Sequence, residues 1–573
     1  MTKRKIDKTK KKSKSDPLTV SSATDSQDTP YPHQKWVFLG LMCMTFLLRL
    51  IILFNSRHYL DSDEAVIAME SLDIIAGEPI PFFLYGQVYG GGHTVEALMA
   101  APLFFLFGPI DYLLKISLVI FACLHILLVY ITLYQFFNKR FALIASAVFS
   151  IFSTFFAFNF RANGGMVTLM AGWLGWYLFF QSYFSEKEKK LFLLFSGIAL
   201  GFAYYCFDFA LYYLLGVFIL WVLKDRLQIW KKWASLLTFT GGFFIGAMPL
   251  VYYNLANDFA NIKGLLLIAG PGSSPLYSTL KKFGVLLAHD LPAFFSLDVN
   301  DFPSEISPIS YLSYGLFLLA VIYTIMKTAR PFFSLTKGSL ARRGNILDRE
   351  DRIAYILLLL FLYLLIYCLS ASGGKATRYL IPLSPLVPIV LAWPIYFFRR
   401  RWFIPAVTLA FLFGGIQLYY LVQLAQDDTV LEWRNVTHGE DVKKLATFLL
   451  DNNFTTVMTP YEIKWKLMFA SQRKIIAASY MFGFDREHKY NREVVERVNH
   501  QNVPLTVVFD KAYKLPQIAL NFNPQGAFDV EGFHQFLRQN NINYRITPVG
   551  RDYLVYHGFS EPIRLPDPYK NQG

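Results

Sequence analysis

Apolar runs long enough to cross a bilayer alternate with short polar segments through most of this chain. They fall at roughly 36–54, 113–136, 140–158, 165–184, 191–206, 208–224, 235–253, 309–327, 353–370, 379–398 and 402–424, which predicts about eleven membrane-spanning helices. A further run at 94–107 is short, contains Pro102 and ends at Gly108-Pro109, so it reads either as a short span or as a helix at the membrane surface. Loop charge decides between them. If 94–107 does not cross, Lys139-Arg140, the lysines at 187–190, the segment 224–232, Arg342-Arg343 and the arginines at 399–401 all lie on the cytoplasmic side. A crossing helix would invert every one of these loops. The expected topology therefore has 94–107 interfacial or re-entrant, a cytoplasmic N-terminus, and the 61–96 loop, the 161–165 turn, the 254–308 loop and everything after about Leu424 outside.

The pattern changes at both ends. Residues 1–33 are rich in Lys, Ser, Thr and Asp with little apolar surface, and read as a disordered basic cytoplasmic tail. The run that follows it reads as a retained signal anchor, since no small-residue cleavage pattern comes after it. Residues 34–425 form the expected transmembrane domain. Beyond them, GEDVKKLATFLLDNNF has the period of an amphipathic helix, and TTVMT, KIIAA, LTVVF, YRITPV and DYLVYH read as short strands. Residues 426–573 are thus expected to form a small extracytoplasmic α/β domain that supports the site or recognises an acceptor. No internal repeat is evident, which disfavours a transporter built from duplicated halves.

Composition narrows the class. With 54% hydrophobic and 17% aromatic residues and a mean hydropathy of +0.35, the chain is too apolar for an ordinary soluble protein and reads as a polytopic α-helical membrane protein. Its net charge of +14 sits in the tail, the short loops and the C-terminal region, so topology rather than nucleic acid accounts for it. Cys43, Cys123, Cys206 and Cys368 all lie in apolar runs without paired spacing, and suggest neither a disulfide framework nor a zinc site.

Candidate chemistry gathers just after the first span. Asp61, Asp63 and Glu64 put three carboxylates within four residues at the foot of a membrane helix, where they are costly unless they face water, a cation or a substrate. Asp63 and Glu64 diverge by about 100° around a helix axis, so one can enter a site while its neighbour orients or caps; Asp61 or Ser62 is a natural N-cap. A solvated acidic helix start is the plainer alternative. His93 and Glu96 share a helix face and could meet a divalent cation or a substrate, although a polar helix end at the interface is favoured over a metal site. Tyr85, Gln87 and Tyr89 alternate in an extended segment, suiting either a sugar or an interface belt. Arg161 and Arg378 stand beside glycine pairs at outer membrane boundaries, where a guanidinium can take a phosphate at two points or snorkel to head groups; Lys375, Lys281 and Lys282 are weaker candidates. His289-Asp290 could form an acid/base pair, or simply be loop polarity.

The stretch DSDEAVIAMESLDIIAGEPIPFFLYGQVYGGGHTVEALMAAPLFFLFG resembles the first outer loop of GT-C glycosyltransferases, the superfamily of protein O-mannosyltransferases and the aminoarabinose lipid A transferase. It is most similar to a bacterial branch with DSDEA and GQxYxG. RANGGMVTLM, VYYNLAND with LLAHDLPAFFSL, and RYLIPLSPLVPIVLA fit the same branch in order, so the resemblance covers roughly residues 36–425.

That resemblance implies a GT-C fold in a bacterial inner membrane, a polyprenyl-phosphate sugar donor and a glycolipid, glycan or protein acceptor. It implies transfer with inversion, in which Asp63 is the general base with Glu64 beside it, and Arg378, followed by Tyr379, meets the donor phosphate. Asp61, Tyr85, Gln87, Tyr89, His93, Glu96, Arg161, Asn163 and Lys375 are the accompanying candidates for substrate binding. Two departures matter. The phosphate-binding lysine followed by two prolines in the lipid A transferase branch has no counterpart in YGQVYGGGHTVEA, and the second outer-loop aspartate of the mannosyltransferase pattern is replaced around Arg161 and Asn163. Cofactor and sugar are therefore not implied. The rival readings are a lipid-linked-sugar flippase or transporter, for which Asp208 near the start of a span is the one favourable charge, and a membrane scaffold with a degenerate site.

Overall fold

The computed structural model describes residues 34–55, 60–85, 87–183, 189–225, 232–263, 275–297, 306–337, 349–369, 377–397, 403–426, 439–479, 486–511 and 530–566. Lys375, the tail at 1–33 and the 427–438 segment lie outside them. The chain begins with α1 (Gln34–Asn55), α2 (Ser62–Ile75), α3 (Gly92–Phe107) and α4 (Asp111–Phe136). It continues through α5 (Lys139–Ser150), α6 (Ser153–Phe158), α7 (Gly165–Tyr183) and α8 (Lys190–Cys206).

Over the described residues each apolar run is helical, but three are interrupted. The 140–158 run breaks between α5 and α6, the 235–253 run bends by 65° between Trp233–Gly246 and Met248–Ala256, and the 379–398 run opens with a 3-10 stretch, Thr377–Leu383, ahead of Leu386–Phe397. Proline explains two of these breaks, since Pro249 stands at the bend and Pro382 and Pro385 at the third, where a missing N–H and the ring exclude a regular helix. Among the described residues five helices are individually long and apolar enough to cross, and the bent pair makes a sixth. At 16 residues α3 is shorter than a bilayer core requires. Helix α8 and Trp233–Gly246 pack backbone to backbone through Gly197, Gly201, Gly242 and Gly246: a Cβ on Gly201 would stand 2.0 Å from the carbonyl oxygen of Phe243.

All five segments read as strands form one sheet, in the order β2 (Ile476–Ala478), β1 (Thr456–Met458), β3 (Thr506–Asp510), β5 (Tyr553–His557), β4 (Arg545–Val549). The first three are parallel, with Val457 opposite Ala477 and Thr506; β5 is antiparallel to both neighbours, with Val508 opposite Val555. β1 to β3 are buried on both faces, as helix-covered parallel strands must be, whereas β4 is a largely exposed edge that carries Pro548.

This sheet unit is fused to the membrane helices through α2 and α3. Val66, Met69, Ala97 and Phe104 share one hydrophobic core with Trp465, Phe469 and Val494. Asp73, buried on α2, is the polar centre of the join: it accepts from Tyr85, Tyr490, Lys489 and Arg473 at 2.6–3.1 Å. Ser62 donates to the Glu462 carbonyl at 2.9 Å. The C-terminal unit is thereby held against the acidic segment that the sequence singled out.

Candidate active site

Local sequence starts α2. Asp61 is the N-cap: its carboxylate accepts from the Glu64 N–H at 2.8 Å while Glu64 accepts from the Asp61 N–H at 2.9 Å, a complete capping box. Glu64 also takes Lys115 of α4 on both oxygens at 2.9 Å and the Ala162 N–H at 2.9 Å, with both charged side chains buried. Its carboxylate therefore ties α2, α4 and the 161–165 turn together. Glu96 binds the same turn from α3 through the Gly164 N–H at 2.9 Å, and Asn163 accepts from Gly165 at 2.9 Å at the start of α7. Arg161 lies 3.5 Å from the Asp61 carboxylate. His93 and Glu96, which share a helix face, serve separate backbone groups, since the His93 Nδ1 is 2.7 Å from the Gly90 carbonyl and Glu96 takes the Gly164 N–H. Among the described residues no group of three or more His, Cys, Asp or Glu is placed to hold a metal ion.

The glycines of GGG and RANGG permit this contact. A Cβ on Gly92 would lie 2.5 Å from the Gly164 carbonyl oxygen, and Gly164 itself has φ +73°. Gly92→Ala is therefore expected to destabilise the protein by about 1–3 kcal/mol through overpacking. Gly40→Ala on α1, where nothing lies within 4 Å, should leave thermal unfolding in detergent close to wild type.

Asp63 points differently from Glu64. Its Oδ1 accepts from the Tyr461 hydroxyl at 2.6 Å and from Arg486 at 2.8 Å, and its side chain keeps 28% of its exposure. Burial pushes this carboxyl up, but the Arg486 guanidinium, the Tyr461 hydroxyl and the Arg161 charge prevail and hold it at about 2. Asp61 goes the other way, raised to about 6 by burial and by Glu64 against the pull of Arg161. The two carboxylates are thus set apart in basicity by their surroundings.

Around Asp63 stand most of the predicted binding residues. The Gln87 amide oxygen, turned toward Arg486, accepts from its guanidinium. Tyr89 lies within the electrostatic reach of Arg486, Asp63, Arg378 and Tyr379, and His93 within that of Arg486, Asp63 and Arg378. Burial, reinforced by those two guanidinium groups, lowers His93 to about 4, so its ring is neutral at physiological pH. Arg378 lies over the Tyr379 ring, 5.2 Å from its centroid. Tyr85 is drawn instead into the Asp73 join. His289 and Asp290 do touch, at 3.0 Å, but Asp290 is also bound by Tyr367 at 2.9 Å and braces the Leu286–Asp290 segment against Arg349–Leu369.

Four contributors were not singled out from sequence: Tyr461, Arg486, Lys115 and Glu70. The available signal for Arg486 was the charged run Arg486-Glu487-His488-Lys489 ahead of an amphipathic helix. Glu70 is fully buried on α2 beside Thr94 and Asp73. Burial raises it from 4.5 to about 8. The folded chain then holds a proton that the unfolded chain releases, so this stabilisation is complete below about 4.5 and is lost as pH rises toward about 8. Glu70→Gln is expected to flatten that decline in thermal midpoint and to make the protein more stable than wild type at alkaline pH. An unchanged slope would contradict the assignment.

No protein-family model matches the sequence, and no curated protein matches it. Among solved structures the chain is similar to ArnT from Cupriavidus metallidurans in the apo state, with TM-score 0.60 and 11% identity over 92% of this chain and 98% of that one. It is similar to ArnT bound to undecaprenyl phosphate with TM-score 0.54 and 13% identity, over 91% and 98% of the two chains. The Archaeoglobus fulgidus oligosaccharyltransferase in the apo form aligns with TM-score 0.47 and 14% identity over 83% and 70%. The chain therefore shares the fold of these ArnT structures, a set of apolar helices followed here by a C-terminal α/β unit.

Proposed function

We propose that this chain is an inverting membrane glycosyltransferase that moves one sugar from a polyprenyl-phosphate donor to an acceptor outside the cytoplasm. The observation that carries the reading is a partly exposed carboxylate, Asp63, bound by Arg486, beside Tyr89 and His93, which the charges of Arg486 and Arg378 both reach. The likeness to a structure holding undecaprenyl phosphate supports the donor class. In this reading Asp63 takes the proton of an acceptor hydroxyl, the acceptor oxygen bonds to the anomeric carbon from the opposite face, and the bond from that carbon to phosphate oxygen breaks. The electron pair leaves with polyprenyl phosphate, whose growing negative charge Arg378 stabilises. Tyr89, Gln87 and His93 shape the sugar site.

The remaining site residues act at one remove. Glu64 and Glu96 position the 161–165 turn, and Asp61 orients Arg161. The domain reading follows: residues 34–425 carry the transmembrane reaction centre and 426–573 an outer unit that completes it, in an inner membrane with the N-terminus cytoplasmic. The test is transfer by purified protein in nanodiscs from a panel of labelled polyprenyl-phosphate sugars to membrane extract, with NMR of the product's anomeric centre. A product of inverted configuration is expected. A retained configuration would contradict the single displacement.

A further inference from the structure

We propose that Arg486, supplied by the C-terminal unit, is a ligand of the donor phosphate, and that it binds the phosphate by giving up Asp63. The proposal rests on the glycosyl-transfer reading. Arg486 stands just ahead of His488–Asn499, with its side chain 11% exposed. Its Nη2 is 2.8 Å from Asp63 and its Nε 2.6 Å from the Tyr461 hydroxyl, and Gln87 accepts from the same group. Its charge reaches Tyr89 and His93, the two side chains that Arg378 also reaches. Two guanidinium groups, more than 100 residues apart in the chain, thus converge on one small region. Arg161 lies against Asp61 and Arg486 against Asp63, and the charge of Arg378 reaches Tyr89 and His93 beside them, so the region is suited to an anion.

Chemistry makes an exchange necessary. A carboxylate held by an arginine and a tyrosine is a poor base, because its charge is already stabilised. A phosphate diester carries one negative charge and presents two oxygens to a guanidinium fork, so it competes directly with Asp63 for Arg486. Once Arg486 has moved to phosphate, Asp63 regains basicity. As the anomeric bond breaks, the phosphate becomes a monoester with more negative charge, and the new contact strengthens where stabilisation accelerates the reaction. Donor occupancy thereby readies the base, which sets an order of donor first and proton removal second.

The test is binding of undecaprenyl phosphate to the full-length protein in nanodiscs, with undecaprenol as the uncharged control. Arg486→Gln is expected to weaken binding about 10- to 100-fold, and Arg486→Lys less, from loss of a charge-assisted fork. Asp63→Asn, which keeps the side-chain shape, is expected to tighten binding about 3- to 10-fold because the competitor for Arg486 is gone. The double variant should bind as weakly as Arg486→Gln. If Arg486 only braces the C-terminal unit, Asp63→Asn will not tighten binding, and that result overturns the proposal even where Arg486→Gln folds poorly. Wild-type binding that neither variant alters overturns both the ligand assignment of Arg486 and the exchange, and leaves the donor reading standing. Wild-type binding no better than to undecaprenol overturns the donor reading as well.

Discussion

Asp63→Asn is expected to lower sugar transfer by about 10²- to 10⁴-fold, the range that a positioned base contributes, while the protein inserts and folds. The substitution keeps the hydrogen bond from Tyr461 but removes a carboxylate that keeps contact with solvent and whose charge reaches Tyr89 and His93. Glu64 cannot take over. Its oxygens are occupied by Lys115, the Asp61 N–H and the Ala162 N–H, and it lies buried between α2 and α4. Rates measured at saturating donor, alongside the elution profile and thermal midpoint of each protein, check the expectation. Transfer by Asp63→Asn at a tenth of the wild-type rate or better would remove Asp63 from the role of base.

Lys115→Met carries the largest expected effect on stability. Lys115 and Glu64 are both almost wholly buried, and Lys115 also donates to the Phe160 carbonyl at 2.8 Å. Removing the lysine leaves a carboxylate in an apolar junction without its cation, which costs about 3–5 kcal/mol. Adding Glu64→Gln should recover part of that loss and not all, since an amide cannot reproduce every contact of the carboxylate with Asp61 and Ala162. Thermal unfolding in nanodiscs separates the outcomes. A Lys115→Met protein as stable as wild type would show that the pair carries no structural load.

Much of the architecture was legible because it rests on local period. Apolar runs became helices, and β1 to β5 coincide with the alternating or wholly apolar stretches read as strands. The broken runs were harder to see, since hydropathy averages across Pro249 and Pro382 without registering the lost N–H. In the site, the reading reached the contact that is local, the Asp61 cap on Glu64 three residues on. It missed pairs set by tertiary packing. Asp63 meets Arg486 across 423 positions and Tyr461 across 398, and nothing in either segment announces the other. Glu64 illustrates the same limit. From sequence it is one more acid beside Asp63, and only the arrival of Lys115 from α4 separates a structural carboxylate from the one left facing the site.

The most direct measurement follows both halves of a doubly labelled donor, with one isotope in the sugar and another in the polyprenyl phosphate, in proteoliposomes supplied with acceptor extract. Sugar transfer predicts that the labels part in equal amounts, the sugar appearing on acceptor and the phosphate as free polyprenyl phosphate, and that Asp63→Asn prevents the separation. If the labels instead cross the bilayer together and never part, with wild type and Asp63→Asn alike, the protein moves a lipid-linked sugar and does not transfer it.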